Sequence, residues 1–357
     1  MKTFTLPLFF VLFICASLAR AQDQPEERDS LYKNVDFEHL SAKVFNLNSV
    51  TPQAGILIDF SKKPVIKGSI PVYQGNLSML FIDAAVTSNN DFVPLFEKGK
   101  WATNASGNLS YTIFLNRTNK YSRSASSSLG KPAFTAPSQA FWVWLNTKGG
   151  YNFSSHLFFL DNGNAKIENQ ISRKNYNNLF GQVNLGFYSN PFEGKLSWLT
   201  FSGNVGFEYR QNDNNYASME TVVIRSYDKI TSSKTTEALE ATSEETSAKK
   251  GVFVLANSAN LVYNLTLLIN PDKYAFGLNF YGRTRLTQQL KSTDVGFGIS
   301  VPIQKTVNNE TRTLANLSLN YEVPDVGSQL NKNARFSDKG LLGLTVAIPV
   351  YILNYIK

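Results

Sequence analysis

The amino-acid sequence predicts an all-β protein, an antiparallel transmembrane β-barrel of about twelve strands, within a range of ten to fourteen. A short polar or helical N-terminal segment precedes the barrel. Three observations support this fold class: apolar and polar residues alternate over many stretches, short and long links connect these stretches, and charged residues within them fall on the polar parity. Successive side chains of a strand point to opposite faces, so each stretch has one apolar and one polar face.

The N-terminus has the pattern of a secretory signal peptide. Residues 6–18 are apolar, Lys2 precedes them, and Ala19-Arg20-Ala21 forms a small-x-small cleavage site. We expect residues 1–21 to be removed, and the alternative is an uncleaved anchor. Cleavage removes Cys15, the only cysteine, and leaves a chain without disulfides or thiol chemistry.

Residues 22–49 are polar and then weakly periodic. Phe37, Leu40 and Val44 lie at helical spacing. The segment is therefore predicted to be a linker, a short helix or a plug of the barrel.

Residues 50–357 carry the alternating stretches. The clearest is the last one, where every even residue from 342 to 350 is a branched aliphatic. Its length is close to the ~9–11 residues that a tilted strand needs to cross a bilayer. Its other face (Gly343, Thr345 and Ala347) is small and leaves room for a solute or for the N-terminal segment. The predicted strands are 56–60, 80–86, 109–115, 140–145, 151–159, 179–187, 199–209, 261–269, 274–280, 295–301, 317–323 and 340 onward.

The links between predicted strands differ in length. Short turns are predicted at 147–150, 190–194, 270–273 and 305–311, and longer links at 116–138, 161–175, 210–251 and 324–339. The link 87–107 is long where a short turn is expected. Residues 230–250 are rich in Ser, Thr, Glu and Lys, so a long mobile loop is predicted at 210–250.

The charged residues of the predicted strands all have the parity opposite to the apolar face. A charge on the lipid face would cost ~2–4 kcal/mol for Arg or Lys at the midplane. The predicted lumen-lining residues are Asp59, Asp83, Glu208, Arg210, Arg283, Arg285 and Glu322, together with His156. They could select small polar or ionic solutes, or they could only fill the barrel with salt bridges and hydrogen bonds.

Taken together, the signal peptide, the cysteine-free mature chain, the alternating strands and the amphipathic last strand resemble bacterial (Gram-negative) outer-membrane β-barrel proteins. The resemblance covers roughly residues 50–357 and lies in architecture. It implies an outer-membrane location, periplasmic termini, contact with outer-membrane lipids and insertion by the barrel-assembly machinery. The function expected is a channel or transporter for small polar or charged solutes. The alternative is a closed structural barrel that binds partners through its long outer loops.

Other function classes find little support in the sequence. No cluster of basic and aromatic residues indicates nucleic acid, and no spacing indicates a metal or another cofactor. The strongest catalytic candidate is a Ser/His pair. Ser155 and His156 face opposite ways, and Ser154 is expected ~6.6 Å from His156 along the strand, too far for a hydrogen bond. We therefore expect no enzymatic activity. The oligomeric state is not readable from the sequence, and a soluble β-sandwich is the alternative fold.

Overall fold

The computed structural model describes residues 41–45, 53–60, 65–75, 77–87, 96–97, 100–101, 104–120, 139–160, 171–190, 198–216, 219–230, 238–269, 275–307, 310–330 and 340–350. Nearly all of this is β-structure. The strands are β1 (Gly55–Asp59), β2 (Val65–Gln74), β3 (Ser78–Thr87), β4 (Phe96–Glu97), β5 (Lys100–Trp101), β6 (Asn104–Lys120), β7 (Gln139–Phe159), β8 (Ile171–Asn190), β9 (Leu199–Asn214), β10 (Glu220–Ile230), β11 (Ala238–Lys250), β12 (Leu255–Ile269), β13 (Phe276–Arg285), β14 (Ser292–Val307), β15 (Glu310–Val323) and β16 (Leu341–Pro349). No helix among these residues is long and apolar enough to span a membrane.

Twelve of the strands form a closed antiparallel barrel. Their order around the ring is β7-β6-β3-β2-β1-β16-β15-β14-β13-β12-β9-β8, and β8 pairs back to β7. The seam lies between the first and last strands, where Gly55 is opposite Pro349 and Asp59 is opposite Thr345. The predicted barrel of about twelve strands is confirmed.

Two strands of the ring, β2 and β7, were nevertheless not predicted correctly. Strand β2 was missed because Pro71 and a register shift between Pro71 and Tyr73 interrupt its alternation. Strand β7 was predicted as two strands because Gly149 and Gly150 resemble a turn. In the structure β7 continues through them, and a Cβ on Gly150 would overlap the Asn108 side chain. The two errors cancel in the strand count.

The additional spanning strand β2 also changes the rim of the barrel at which each of the following links lies. The chain enters β1 at one rim, here called the N-terminal rim, and alternate links lie at the opposite rim. Residues 88–103, 160–170, 215–254 and 324–340 connect strands at the opposite rim. The link after β3 is thus no exception to the predicted pattern, whereas residues 121–138 form a long link at the N-terminal rim.

Strands β10 and β11 form a hairpin outside the ring. They pair with each other from Glu220–Lys250 to Ile230–Ala238, and β11 joins the end of β7 through a parallel pair, Lys249 with Phe158. The predicted loop at 210–250 is therefore wrong for most of its length. Its polar composition indicates poor burial, but backbone pairing in a hairpin needs no apolar side chains.

The barrel is apolar outside and polar inside. Outward-facing apolar side chains are exposed, among them Ile70 (66% exposed) and Phe207 (65%). Inward-facing polar side chains are buried, for example Asn184 and Asn260 at 0%. A water-soluble protein has the reverse arrangement. A closed barrel satisfies its backbone hydrogen bonds internally and can present this apolar surface to lipid, so the architecture is that of an outer-membrane β-barrel.

Candidate functional site: the barrel lumen

An apolar cluster, here called the aromatic core, lies in the half of the lumen nearest the N-terminal rim, on the side formed by β3, β6, β7 and β8. Trp142 stacks on Tyr188 with ring centroids 4.5 Å apart and planes at 18°. Phe114 meets Trp144 edge-on at 6.3 Å. All four side chains are at most 1% exposed. The members of the aromatic core are Val44, Met79, Phe81, Phe114, Ala140, Trp142, Trp144 and Tyr188.

Residues 41–45 enter the lumen from the N-terminal rim and complete this core; they are called the inner plug. Val44 belongs to the aromatic core, and Phe45 packs against Leu57 and Ala347. Asn316 Nδ2 donates to the backbone oxygens of Ala42 at 2.6 Å and Phe45 at 3.0 Å. The plug is thus held by apolar packing and by hydrogen bonds from Asn316 to its backbone oxygens.

Above the aromatic core lies a layer of amide and hydroxyl side chains. Gln182 donates to Asn184 (2.8 Å), Asn184 to Asn146 (3.3 Å), and Asn146 to Ser110 and Thr112 (both 2.8 Å). This chain joins three neighbouring strands. It marks the change from an apolar to a polar lumen.

Beyond this layer, two charged clusters lie on opposite sides of the ring. The first, the lysine wall, consists of Lys67 on β2, Asp83 on β3 and Lys148 on β7. Lys148 Nζ lies 3.1 Å from Asp83 Oδ2. Lys67 lines the same cavity as Lys148 and is an electrostatic neighbour of Lys148 and Asp83.

The second cluster, the arginine wall, lies on β9, β13 and β14. Arg210 donates two hydrogen bonds to Glu208, from Nε to Oε1 at 2.6 Å and from Nη2 to Oε2 at 2.8 Å. Asn260 Nδ2 donates to the same Glu208 at 3.0 Å. This bidentate geometry is the strong form of an ion pair.

The rest of the arginine wall centres on Asp294. Arg285 Nη1 lies 3.1 Å and Arg283 Nη2 3.3 Å from Asp294 Oδ2. Arg285 Nε also lies 3.5 Å from Asp213, which accepts a bond from Ser258 at 2.6 Å. Three guanidinium groups therefore meet three carboxylates, and the pairs run along one wall rather than across the pore.

A cavity of about 310 Å³ lies between the two walls. An eight-stranded barrel is just filled by its own side chains, whereas barrels of 16–18 strands enclose water channels. Twelve strands leave space beyond what the wall residues fill. At one end of this lumen the aromatic core and inner plug occupy that space, and at the other the cavity remains. Its lining includes Lys67, Lys148, Glu208, Arg210, Arg283 and Asp294.

The predicted lumen residues all have the inward parity, but their surroundings differ. Glu208, Arg210, Arg283 and Glu322 line the cavity. Asp83 belongs to the lysine wall, and Arg285 lies behind the cavity in the arginine wall. Asp59 is 7% exposed, and the Thr345 hydroxyl lies 3.5 Å from its Oδ1.

His156 is not among the residues that line the cavity. It lies at the opposite rim in a group of rings, here called the rim cluster: His156, Phe158, Tyr176, Tyr216 and Phe253. Its ring stacks on Tyr216 at 3.9 Å and 17°. Tyr216 Oη accepts from Leu157 N at 3.1 Å and donates to Leu157 O at 3.0 Å. Burial raises the pKa of the Tyr216 phenol, so it remains protonated and able to donate.

The expected distance between Ser154 and His156 was wrong. Ser154 Oγ lies 3.3 Å from His156 Nε2. The ~6.6 Å repeat separates the backbones of residues two apart, but the two side chains lean toward each other and close the gap.

Sequence reasoning missed Lys67, Lys148, Asp213, Asp294 and the aromatic core. Lys67 and Lys148 lie in the missed strand and the supposed turn. Asp213 and Asp294 lie just beyond the predicted strand ends. The aromatic core had a usable signal, because residues 140–145 are apolar on both parities. A membrane strand of this kind faces lipid on one side and a dry interior on the other.

No family model matches the sequence, and no curated protein matches it. Similar solved structures include the NanC porin, at 5% identity over 84% of this chain and 100% of that chain, with a TM-score of 0.37. The translocator domain of the autotransporter NalP from Neisseria meningitidis matches at 10% identity over 88% of this chain and 93% of that chain, with a TM-score of 0.39. The β domain of the Bordetella autotransporter BrkA matches at 8% identity over 83% of this chain and 98% of that chain, with a TM-score of 0.33. The fold described above rests on the strand pairing and not on these similarities.

Proposed function

We propose that this chain is a gated outer-membrane barrel for small polar or charged solutes, with the inner plug and aromatic core as its closed gate. One observation carries the proposal: a charged cavity lies in one half of the lumen, and the inner plug and the aromatic core lie between it and the N-terminal rim. Inward polar side chains such as Thr266, Asn279 and Ser318 continue toward that rim on the facing side. Movement of the plug would therefore leave a path with a polar wall.

The proposed orientation places the N-terminal rim in the periplasm. Outer-membrane barrels have short periplasmic turns and longer outer loops. Residues 75–77 and 308–309 are short links at the N-terminal rim, whereas 215–254 and 324–340 are long links at the opposite rim. In this orientation the cavity lies toward the outside and the plug lies toward the periplasm. The apolar outer belt would contact membrane lipid, and the barrel-assembly machinery would insert the protein.

The ion pairs alone do not decide between a transport role and a structural one. The arginine wall satisfies its charges internally, which is what a structural network would do. The cavity beside it favours transport, because a purely structural lumen of this width gains by being filled. We assign the Ser154–His156 pair a structural role and propose no catalysis, since Tyr216 covers the His156 ring.

Planar-bilayer conductance tests the gate. The double variant Val44→Asp/Phe45→Asp places one charge in the aromatic core and one against Leu57 and Ala347. It should expel the plug, so its conductance should exceed that of the wild type several-fold. Lys43→Ala changes the same segment at a partly exposed position and serves as the control, with conductance unchanged. A wild type that already conducts as well as the double variant, or a double variant that stays closed, contradicts the gate.

The hairpin β10–β11 supports a second candidate, a barrel that binds a partner at its outer rim. The hairpin extends the sheet beyond the ring, and β10 forms the edge of the sheet in the described part of the chain. Replacing residues 220–250 by a short turn tests this role. Loss of cell-surface binding with solute uptake retained would favour it, and loss of uptake would instead make the hairpin part of the transport path.

A further inference from the structure

We infer that the link between β9 and β12 carries an outer gate of the barrel, a strap that crosses the mouth on the outer side of the cavity and is latched to β7. The strap consists of residues 215–216 and 219 on its outgoing branch and residues 251–254 on its returning branch. The inference goes beyond the proposed function, which places a gate only at the N-terminal rim. It rests on the route of the strap, on its latch and on the bonds between its two branches.

The barrel does not need this route to connect its strands. Strands β9 and β12 are neighbours in the ring, and Leu255 lies opposite Asn214 in their ladder. A turn of about two to five residues closes such a pair. The strap instead reaches β7, which β8 separates from β9.

The strap passes over the inner face of β8 and not around the outside of the barrel. On the outgoing branch, Tyr216 stacks on His156 of β7 with ring centroids 3.9 Å apart. On the returning branch, Phe253 contacts Tyr176 of β8 at 4.8 Å and Phe158 of β7 at 5.0 Å. The side chains of β7 and β8 in these contacts have the inward parity. Both branches therefore lie on the lumen side of the rim.

The cavity lies deeper along the same two strands. Lys148 of β7 and Gln182 of β8 belong to its lining. His156 follows Lys148 by eight residues toward the opposite rim, a rise of ~26 Å along the strand. A solute that enters from that rim beside β7 and β8 must pass the strap before it reaches these two side chains.

The latch consists of the rim cluster and the Tyr216 hydroxyl. This hydroxyl accepts a hydrogen bond from Leu157 N at 3.1 Å and donates one to Leu157 O at 3.0 Å. Leu157 lies beyond the pairing of β7 with β6, which ends at Asn104 and Ser154. The strap thus binds a part of β7 that extends past its neighbour in the ring.

The two branches of the strap are bonded into one unit by Asn215. Its Nδ2 donates to Val252 O at 3.0 Å, and its Oδ1 accepts from Val254 N at 2.8 Å. Release of the latch should therefore move both branches together.

The latch is less deeply buried than the aromatic core. Phe158 is 9% exposed and Tyr216 and Met219 are 8% exposed, whereas Trp142 and Trp144 are at most 1% exposed. Contacts near the solvent open at a lower free energy than those of a packed core. The strap can therefore detach while the barrel stays folded.

Thiol labelling inside the cavity tests the strap. Gln182→Cys places a reactive thiol below it, and Cys15→Ser removes the only native cysteine. The purified barrel in detergent is treated with a small methanethiosulfonate or with a bulky dye-linked maleimide. Adding Tyr216→Ala/Phe253→Ala should raise the rate with the bulky reagent at least fivefold and the rate with the small reagent less than twofold, because the latched strap obstructs the larger molecule.

Leu286→Ala is the matched control. It shortens an exposed apolar side chain on the link between β13 and β14 at the same rim and should leave both rates unchanged. A heat-dependent shift in gel migration verifies that each variant is folded. Should the double variant fail to fold, Phe253→Ala alone carries the test. An unchanged rate with the bulky reagent in a folded latch variant overturns the inference, and so does equal acceleration of both reagents or acceleration by Leu286→Ala.

The same labelling separates the strap from the inner plug. Val44→Asp/Phe45→Asp should open the other end of the lumen to the reagents. If this variant accelerates bulky labelling and the latch variants do not, the plug stands and the strap is wrong. If only the latch variants accelerate it, the strap stands and the gate at the N-terminal rim is wrong.

Discussion

The two halves of the lumen follow the same inward parity, yet they differ in chemistry. Near the N-terminal rim, Trp142, Trp144 and Tyr188 pack an apolar core on one side of the lumen, and the facing side carries uncharged polar groups such as Thr266 and Asn279. Toward the opposite rim, the inward positions carry ion pairs around a cavity. The aromatic core is therefore expected to contribute more to stability, and the charged half to determine which solute enters. The following experiments test this division, from the largest expected effect to the smallest.

Truncating the aromatic core should have the largest effect. Trp144→Ala removes a fully buried indole and should lower the free energy of unfolding by about 3–5 kcal/mol, through lost burial and the cavity left behind. Urea-induced unfolding from lipid vesicles, followed by fluorescence, measures it. Trp198→Ala, at a position 45% exposed, is the control and should cost much less. Equal effects at the two positions would contradict a packed core.

Removing the carboxylate at the centre of the arginine wall should cost about 3 kcal/mol. Asp294→Ala leaves Arg283 and Arg285 without their shared partner, and breaking a buried pair is more harmful than never having one. Glu220→Ala, at an exposed position at the start of β10, is the control.

High salt should distinguish the two halves. In 1 M salt the Debye length is about 3 Å. Because Arg283 and Asp294 border the cavity, ions that enter it should reduce the loss at Asp294, while the loss at Trp144 persists. A loss at Asp294 that salt does not change would mean that ions do not reach this pair.

A single methyl group at Gly296 should cost about 1–3 kcal/mol. The Tyr281 ring lies over this glycine, and a Cβ would overlap it. The lumenal space beside Gly296 is thus filled by the Tyr281 ring. Gly181→Ala is the control, since nothing lies within 4 Å of a Cβ there. Adding Tyr281→Ala to Gly296→Ala should relieve the overlap, and an equal cost at Gly181 would refute the steric explanation.

Tyr216→Phe should have the smallest effect, about 1 kcal/mol, confined to the opposite rim. It removes the hydroxyl that bonds Leu157 N and O and leaves the aromatic stacking in place. Faster hydrogen exchange of the Leu157 amide measures the change. Tyr176→Phe keeps the rim cluster without touching that backbone and should leave the amide unchanged. Accelerated exchange in both variants would mean that packing of the rim cluster, not the Tyr216 hydroxyl, protects the Leu157 amide.

Alternation predicted the barrel because lipid on one face and polar groups on the other impose a period of two on every spanning strand. It failed where the backbone departs from that period, at the Pro71 register shift, and where two glycines serve close packing rather than a turn. The inward direction of a charged side chain such as Glu208 or Arg283 could be predicted from its own strand. Its ion-pair partner could not, because the partner depends on the register between strands. Asp294, for example, is opposite Arg283 in the ladder, and no local sequence pattern predicts this pair.

The position of Phe45 links the inner plug to the order of assembly. Phe45 packs on Leu57 from the first strand and on Ala347 from the last, so its site exists only after the seam has closed. The two strands are nearly the whole chain apart in sequence, which makes their pairing a slow, late event. An assembling barrel whose seam is still open has no site for Phe45. Occupancy of that site therefore reports that the final strand has paired.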